Sequence, residues 1–348
     1  MLNRRHFLQA TTAAAALAQT GTKRIAIVTD AYPRVADRFL IGYPWAGSWR
    51  KPVQVVAMYG GGEQAAARAK EHGFRVYPTV AETLRCGGAK LAVDGVVVVG
   101  GGLASCIEVF ETDGRAVPVF VDGPLTQRVK APVLAGSALP VTWRLPSIEL
   151  PMGSEIEAAV MVGVGGRDFD AIEAIQCMVE RRRGNETGVK AVQRIAGDAV
   201  WKADYPRELL AAALSRSDTP MGLTVTDGRT QDLMKSGELE RLAKTPSAYR
   251  VEYRDGLVAT VLMLDGAVKD FNFAARVKGG KVWSTQFLVT PEPEATYAAC
   301  LAEKAARMFE TGIAPWPVER TVLTSAVLAG SGAAVSYKAP RESQFANA

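Results

Sequence analysis

The stretch that most constrains this chain runs from Leu91 to Thr126: LAVDGVVVVGGG, a short helical segment, then VPVFVDGPLT. Val96 to Val99 is an unbroken β-branched run that meets three glycines. Val117 to Val121 is a second apolar run, ending in Asp122-Gly123-Pro124. Continuous rather than alternating apolar runs mark strands buried on both faces, as in a parallel sheet covered by helices. In open sheets of that kind, ligands sit outside the carboxyl ends of the strands. Both runs end in glycine-rich loops at that place, so function is sought there first.

The preceding residues fit the same scheme. Lys23 to Thr29 and Val53 to Tyr59 read as strands, Glu63 to His72 as a helix stopping at Gly73, and Val80 to Arg85 as another helix. Strands alternating with helices at this spacing indicate βαβ units and a parallel sheet. Gly60-Gly61-Gly62-Glu63-Gln64-Ala65 fits the dinucleotide pattern G-x-G-x-x-A, yet it follows the second strand, and Glu63 would repel a phosphate. The first strand runs into Thr29-Asp30-Ala31-Tyr32-Pro33 without a glycine, which weakens nucleotide binding in the usual place.

A length of 348 residues suggests two domains, and 48% hydrophobic with 22% charged residues describes an ordinary globular chain. Arg4 and Arg5 followed by Phe7-Leu8, the apolar run Ala10 to Ala18 and Ala16-Leu17-Ala18 have the plan of a twin-arginine secretory signal. That reading places the mature protein in the periplasm or outside the cell. The formal charge of +5 falls by two if those arginines leave, too weak a balance to argue for nucleic acid. Arg181-Arg182-Arg183 reads as a solvated helix end. No apolar run is long enough to span a bilayer. Cys86, Cys106, Cys177 and Cys300 show no metal-binding spacing and read as small buried apolar residues.

After Gly136 the texture changes. Pro140 to Pro146 reads as a crossover, and Phe169 to Arg183 as a long helix with Ile172, Ile175, Met178 and Val179 on its apolar stripe. From Ala248 to Val289 four β-rich runs are separated by Asp255-Gly256, Asp265-Gly266 and Gly279-Gly280, all hairpin signals. The expected organisation is a leader over 1–18, a Rossmann-like domain over 22–139, a second α/β domain over 140–335 and a tail over 336–348. The fold class is α/β, with a parallel Rossmann-like sheet followed by a domain built on a large open antiparallel sheet. Helices would cover one face of that second sheet, and the other face is the expected surface for a homo-oligomer.

This order resembles the glucose–fructose oxidoreductase / inositol dehydrogenase (Gfo/Idh/MocA-like) family, over roughly residues 23 to 330. Arg68 to Leu84 looks like the family's helix, strand and helix after the second strand, and Asp94 to Val99 like its fourth strand. Val119 to Thr126 looks like its Glu-Lys-Pro segment with Asp122 at the Glu position. Asp168 to Glu173 looks like the segment that supplies its active-site histidine. The resemblance implies an NAD- or NADP-dependent oxidoreductase acting on a sugar or polyol. The cofactor would lie along Thr29, Asp30, Gly100, Gly101 and Asp122-Gly123-Pro124.

The departures bear on the chemistry. Gly123 stands where the family has lysine, and Asp170 where it has histidine. The only histidines are His6 and His72. The loops at Gly100–Gly102 and over 127–132 are short, leaving less wall around a nicotinamide. Asp170 and Asp122 are the candidate acid/base residues, converging with Arg144 at the mouth of the first sheet. The alternative is that Asp170 only stabilises a helix N-terminus. Trp143, Arg144, Glu186 and Lys190 are the candidate substrate contacts, with an interdomain anchor and a solvated turn as the plain readings of Trp143 and of Glu186/Lys190. Two functions follow: an exported oxidoreductase, or a degenerate member that binds a carbohydrate or protein partner without redox chemistry. A nucleotide-independent hydrolase or lyase using Asp170 with Asp122 is a third.

Overall fold

The computed structural model describes residues 21–42, 53–125, 127–219, 234, 237–289 and 296–341. The leader and Thr126 lie outside them. The chain divides into two compact units: Met1–Phe120 with Val129–Pro132 and Glu303–Ile313, and Val121–Arg128 with Val133–Ala302 and Ala314–Ala348.

The first sheet has six strands in the order β3-β2-β1-β4-β5-β6. They are β1 (Lys23–Thr29), β2 (Val53–Tyr59), β3 (Arg75–Tyr77), β4 (Gly95–Val99), β5 (Val119–Asp122) and β6 (Val133–Gly136). The pairings of β1 with β2, β1 with β4 and β2 with β3 are parallel. The order reverses between β1 and β4, which makes that crevice the topological switch point. The helices are α1 (Arg34–Ile41), α2 (Gly62–His72), α3 (Val80–Arg85) and α4 (Leu103–Asp113). Ile25 to Val28 and Val96 to Val98 are fully buried, as continuous apolar runs require. Phe39 of α1 packs its ring 6.2 Å from that of Phe120 and 6.4 Å from that of Phe309. Gly95 has no side chain because the Phe309 ring occupies its place: a Cβ there would stand 2.4 Å from the ring.

The second unit is built on seven strands in the order β7-β13-β12-β8-β11-β10-β9. In chain order they are β7 (Arg144–Leu145), β8 (Ile156–Gly163), β9 (Val189–Ala196), β10 (Ser247–Tyr253), β11 (Val258–Met263), β12 (Phe271–Val277) and β13 (Val282–Phe287). Neighbours are antiparallel except β8 and β11, which run parallel. Asp255-Gly256 and Gly279-Gly280 are hairpin turns as expected. Asp265-Gly266 is not, because β8 lies between β11 and β12. Ala158 to Val162 of β8 are buried toward both faces, so this strand belongs at the centre of the sheet.

Helix α5 (Asp168–Val179) and helix α10 (Glu319–Leu328) cover one face, packing Ile172, Ile175, Leu323 and Val327 among Met161, Phe271 and Phe273. The other face, expected bare, carries α6 (Ala199–Lys202), α7 (Arg207–Leu214) and α8 (Glu238–Leu242). Their Val200, Leu209, Leu210 and Leu239 bury Val160, Val162 and Ala274. The long helix α9 (Thr296–Thr311) supplies Phe309 to the first unit.

Inside the second unit lies a polar network. Glu180 and Arg320 are both fully buried, and Arg320 Nε donates to Glu180 Oε2 at 2.9 Å. The Tyr337 hydroxyl donates to the same oxygen at 2.7 Å. Gln176, one turn before Glu180, donates to Glu186 Oε2 at 2.7 Å and accepts from the Tyr253 hydroxyl at 2.7 Å. Arg182 closes the array on Glu186 at 3.0 Å and on Asp255 at 2.6 Å. Tyr337, in the segment expected as a tail, is half-buried and joins this network. Arg181 and Arg182 are buried rather than solvated, because the helix ends at Val179 and turns them inward. Arg181 Nη2 meets Glu149 at 3.4 Å, and only Arg183 of the three is exposed.

Removing one partner of a buried ion pair leaves the other charge uncompensated, at a cost of about 3–5 kcal/mol. Arg320→Met is therefore expected to lower unfolding free energy by about that amount in urea denaturation. Adding Glu180→Leu is expected to return much of it.

Candidate functional site

At the carboxyl ends of β1 and β4 the structure brings Thr29, Asp30, Gly100 and Gly101 together. The Gly101 backbone N–H donates to Asp30 Oδ2 at 2.6 Å. A Cβ on Gly100, whose φ is +78°, would stand 2.7 Å from that oxygen, and one on Gly101 3.0 Å from it. A Cβ on Gly102 would meet the Val28 side chain at 2.5 Å. The three glycines thus make room for groups of the chain itself. On the β2 side of β1, Gly60 (φ +79°) lies so close to the Thr29 carbonyl that a Cβ would stand 1.8 Å from its oxygen. The glycine run before α2 therefore packs onto the β1 loop, with Glu63 in the first turn of the helix.

A nicotinamide dinucleotide in this crevice needs free backbone donors for its pyrophosphate and no competing anion. Here the Gly101 donor is taken by a carboxylate, and the β1 loop has no glycine. The residues present do not fit the dinucleotide in its usual place. The same unit has a hollow of about 430 Å³ lined by Tyr59, Thr79, Ser105, Glu108 and Thr112. Its one lining cation, Arg85, is held by Asp113 at 2.7 Å, so this hollow also offers a phosphate little.

The second unit brings two predicted residues together. Asp122 ends β5 and Asp170 lies in the first turn of α5. Burial, followed by the nearby charge of Asp170, pushes the Asp122 carboxyl up to about 6. Arg167 Nε donates to Asp170 Oδ2 at 2.7 Å, and its guanidinium lies 4.9 Å from the centre of the Phe271 ring. The Tyr249 hydroxyl donates to Asp168 Oδ1 at 3.0 Å. Gly123 has φ +133° and open space where a Cβ would point, so no cation stands beside Asp122 from that position. Asp122 can hold and exchange a proton near pH 6, and both carboxylates can accept hydrogen bonds from hydroxyl groups.

The other candidates lie elsewhere. Arg144 does not converge on the aspartates: its guanidinium is interior, donating to the Pro140 carbonyl at 3.1 Å and to Cys177 Sγ at 3.4 Å. Glu186 is buried among Arg182, Gln176 and the Gly188 N–H, not on a solvated turn. Lys190 is exposed on edge strand β9 and meets Glu252 at 2.7 Å. Trp143 is half-buried, and its carbonyl accepts from Leu288 N at 2.9 Å. Pro124 follows Gly123 on the loop after β5.

Sequence reading missed Arg167 and Glu173. Glu173 is fully buried, accepts from the Thr324 hydroxyl, and is pushed up to about 7, chiefly by burial. Its signal was present: Asp170, Glu173, Gln176 and Glu180 recur at spacings of three and four, one stripe of a helix. Among the described residues no group of three or more His, Cys, Asp or Glu side chains could hold a metal ion. No described helix is long and apolar enough to cross a membrane.

Comparison with solved structures gives a consistent answer about architecture. Myo-inositol dehydrogenase from Lactobacillus casei, in complex with NAD(H) and myo-inositol, matches 89% of this chain and 94% of its own, with TM-score 0.55 and 12% identity. A putative myo-inositol dehydrogenase from Sinorhizobium meliloti 1021 matches 90% and 100%, with TM-score 0.53 and 14% identity. The apo scyllo-inositol dehydrogenase of Lactobacillus casei matches 88% and 94%, with TM-score 0.52 and 12% identity. This chain has their fold. These neighbours are Gfo/Idh/MocA-like oxidoreductases, the family that the order of motifs resembles. No protein-family model matches the sequence, and no curated protein matches it.

A carboxyl group raised from its ordinary 3.8 to about 6 contributes stability at low pH that is lost as pH rises through about 6. In Asp170→Asn the Asp122 midpoint is expected to fall yet to stay above 3.8, because burial is the larger cause. Carbon-detected NMR titration of the Asp122 carboxyl checks this. An unchanged midpoint would show that the two carboxylates are not coupled.

Proposed function

We propose that this chain recognises a sugar or polyol on an inositol-dehydrogenase-like fold without holding a nicotinamide dinucleotide at its switch point. The observation that carries the reading is the Asp30 carboxylate on the Gly101 N–H, where the anionic part of such a cofactor would need its donor. Asp122 and Asp170 are the ligand-facing residues of this reading. Their oxygens accept hydroxyl hydrogens, and Asp122, ionising near neutral pH, is able to give or take a proton. Arg167 keeps Asp170 oriented through its hydrogen bond. Nothing in this role needs a lysine at Gly123.

A second reading keeps the chain as an NAD- or NADP-dependent oxidoreductase acting on a sugar or polyol. What favours it is the coupled carboxylate pair on a fold shared with an enzyme solved with NAD(H) and myo-inositol. In that reading Asp170 or Asp122 would hold the proton of the reacting sugar or polyol hydroxyl. Both readings carry the Arg4-Arg5 leader as a twin-arginine export signal, with the periplasm as destination.

The test is to denature a portion of the purified chain, look for released NAD(P), and titrate the rest with NAD, NADP and a panel of polyols by calorimetry. The expected result is no nucleotide at millimolar concentration, with heat from at least one polyol that Asp122→Ala abolishes. Nucleotide released in stoichiometric amount, or bound tightly, would overturn the proposal in favour of the dehydrogenase.

A further inference from the structure

We infer that Asp30 is the specificity-determining residue of the switch point, its carboxylate lying where a dinucleotide's phosphates would sit and turning phosphorylated ligands away. The inference rests on the reading above and deepens it, extending the exclusion from a dinucleotide to phosphorylated ligands as a class.

The strand order reverses between β1 and β4, and Asp30, the residue after the end of β1, reaches across that reversal to the loop after β4. Its Oδ2 occupies the Gly101 N–H at 2.6 Å. Gly100 and Gly101 fit this contact, because a Cβ on either would crowd the carboxylate at 2.7 or 3.0 Å. Loop and carboxylate are matched to each other. A pyrophosphate entering here would lose the donor and meet a like charge at close range, each unfavourable. Asp30 is itself exposed, so the exclusion acts at a surface that a ligand can reach. The Gly60 approach to Thr29 lies on the β2 side of β1, outside the β1/β4 crevice, and does not by itself fill it.

Two substitutions separate charge from shape. Asp30→Asn keeps an acceptor for Gly101 N–H and removes the negative charge, and Asp30→Ala removes both without adding a glycine to the β1 loop. Asp37→Asn is the control for bulk charge, since Asp37 is tied to Tyr32 at 2.7 Å and to Arg68 at 3.3 Å in the same unit. NAD and inorganic pyrophosphate are titrated into the wild-type chain and all three variants at low and high salt, with thermal unfolding to confirm that each is folded. The expected result is no wild-type binding at millimolar ligand, and binding in Asp30→Ala at least about tenfold tighter than that limit, the gain shrinking as salt screens the charge. Asp30→Asn should show part of the gain and Asp37→Asn none. Failure of every variant to bind would overturn this inference and leave the polyol reading standing. An equal gain in Asp37→Asn would also overturn it, and tight binding by wild type would overturn both.

Discussion

The second unit depends on one buried ion pair, Glu180 with Arg320. Two fully buried charges survive in a protein interior only when each is matched and hydrogen-bonded. Here burial works against the charge on Arg320, and the facing carboxylate outweighs it. The match fixes geometry as well as charge: Glu180 follows α5, Arg320 begins the buried side of α10, and Tyr337 brings in the C-terminal segment. Gln176 extends the same stripe to Tyr253 on β10, and Arg182 extends it to Asp255 in the hairpin turn. Once that helix is locked by its polar stripe, its first turn has a defined place, and with it Asp168 and Asp170. The candidate carboxylate pair is a consequence of the network behind it.

The first unit keeps the strand order of a doubly wound sheet while its switch point makes contacts of its own. The parallel order and the switch point are present, set by apolar strands that bury on both faces. What differs is local. The glycines after β4, at the switch point, make room for the chain's own Asp30 and Val28. Fold and site are separable, and function has to be argued from the site.

Much of the parallel sheet was legible because its strands are continuous apolar runs. Lys23–Thr29, Val53–Tyr59 and the helix Val80–Arg85 fall where pattern and caps place them. The central strand β8 was not, because AAVMVG between two glycine-rich turns gives no periodicity to separate strand from buried helix. That omission made Asp265-Gly266 look like a hairpin. The polar network was illegible for a different reason. Arg181 and Arg182 read as a solvated helix end, and a sequence does not show that Gln176, Glu180 and Arg182 find polar partners across the fold. Asp122 and Asp170 could be named from the sequence, while the burial that raises Asp122 could not. Arg144 and Glu186 were chosen for their chemistry, and the structure gives that chemistry to interior partners.

The central claim is that the switch point is closed by Asp30. A crystal structure of the chain grown with millimolar NAD and a polyol ligand tests it most directly. The account predicts the Asp30 carboxylate on the Gly101 N–H, no dinucleotide between β1 and β4, and polyol density at Asp122 and Asp170. Ordered pyrophosphate density between β1 and β4, with Asp30 turned away, would contradict it.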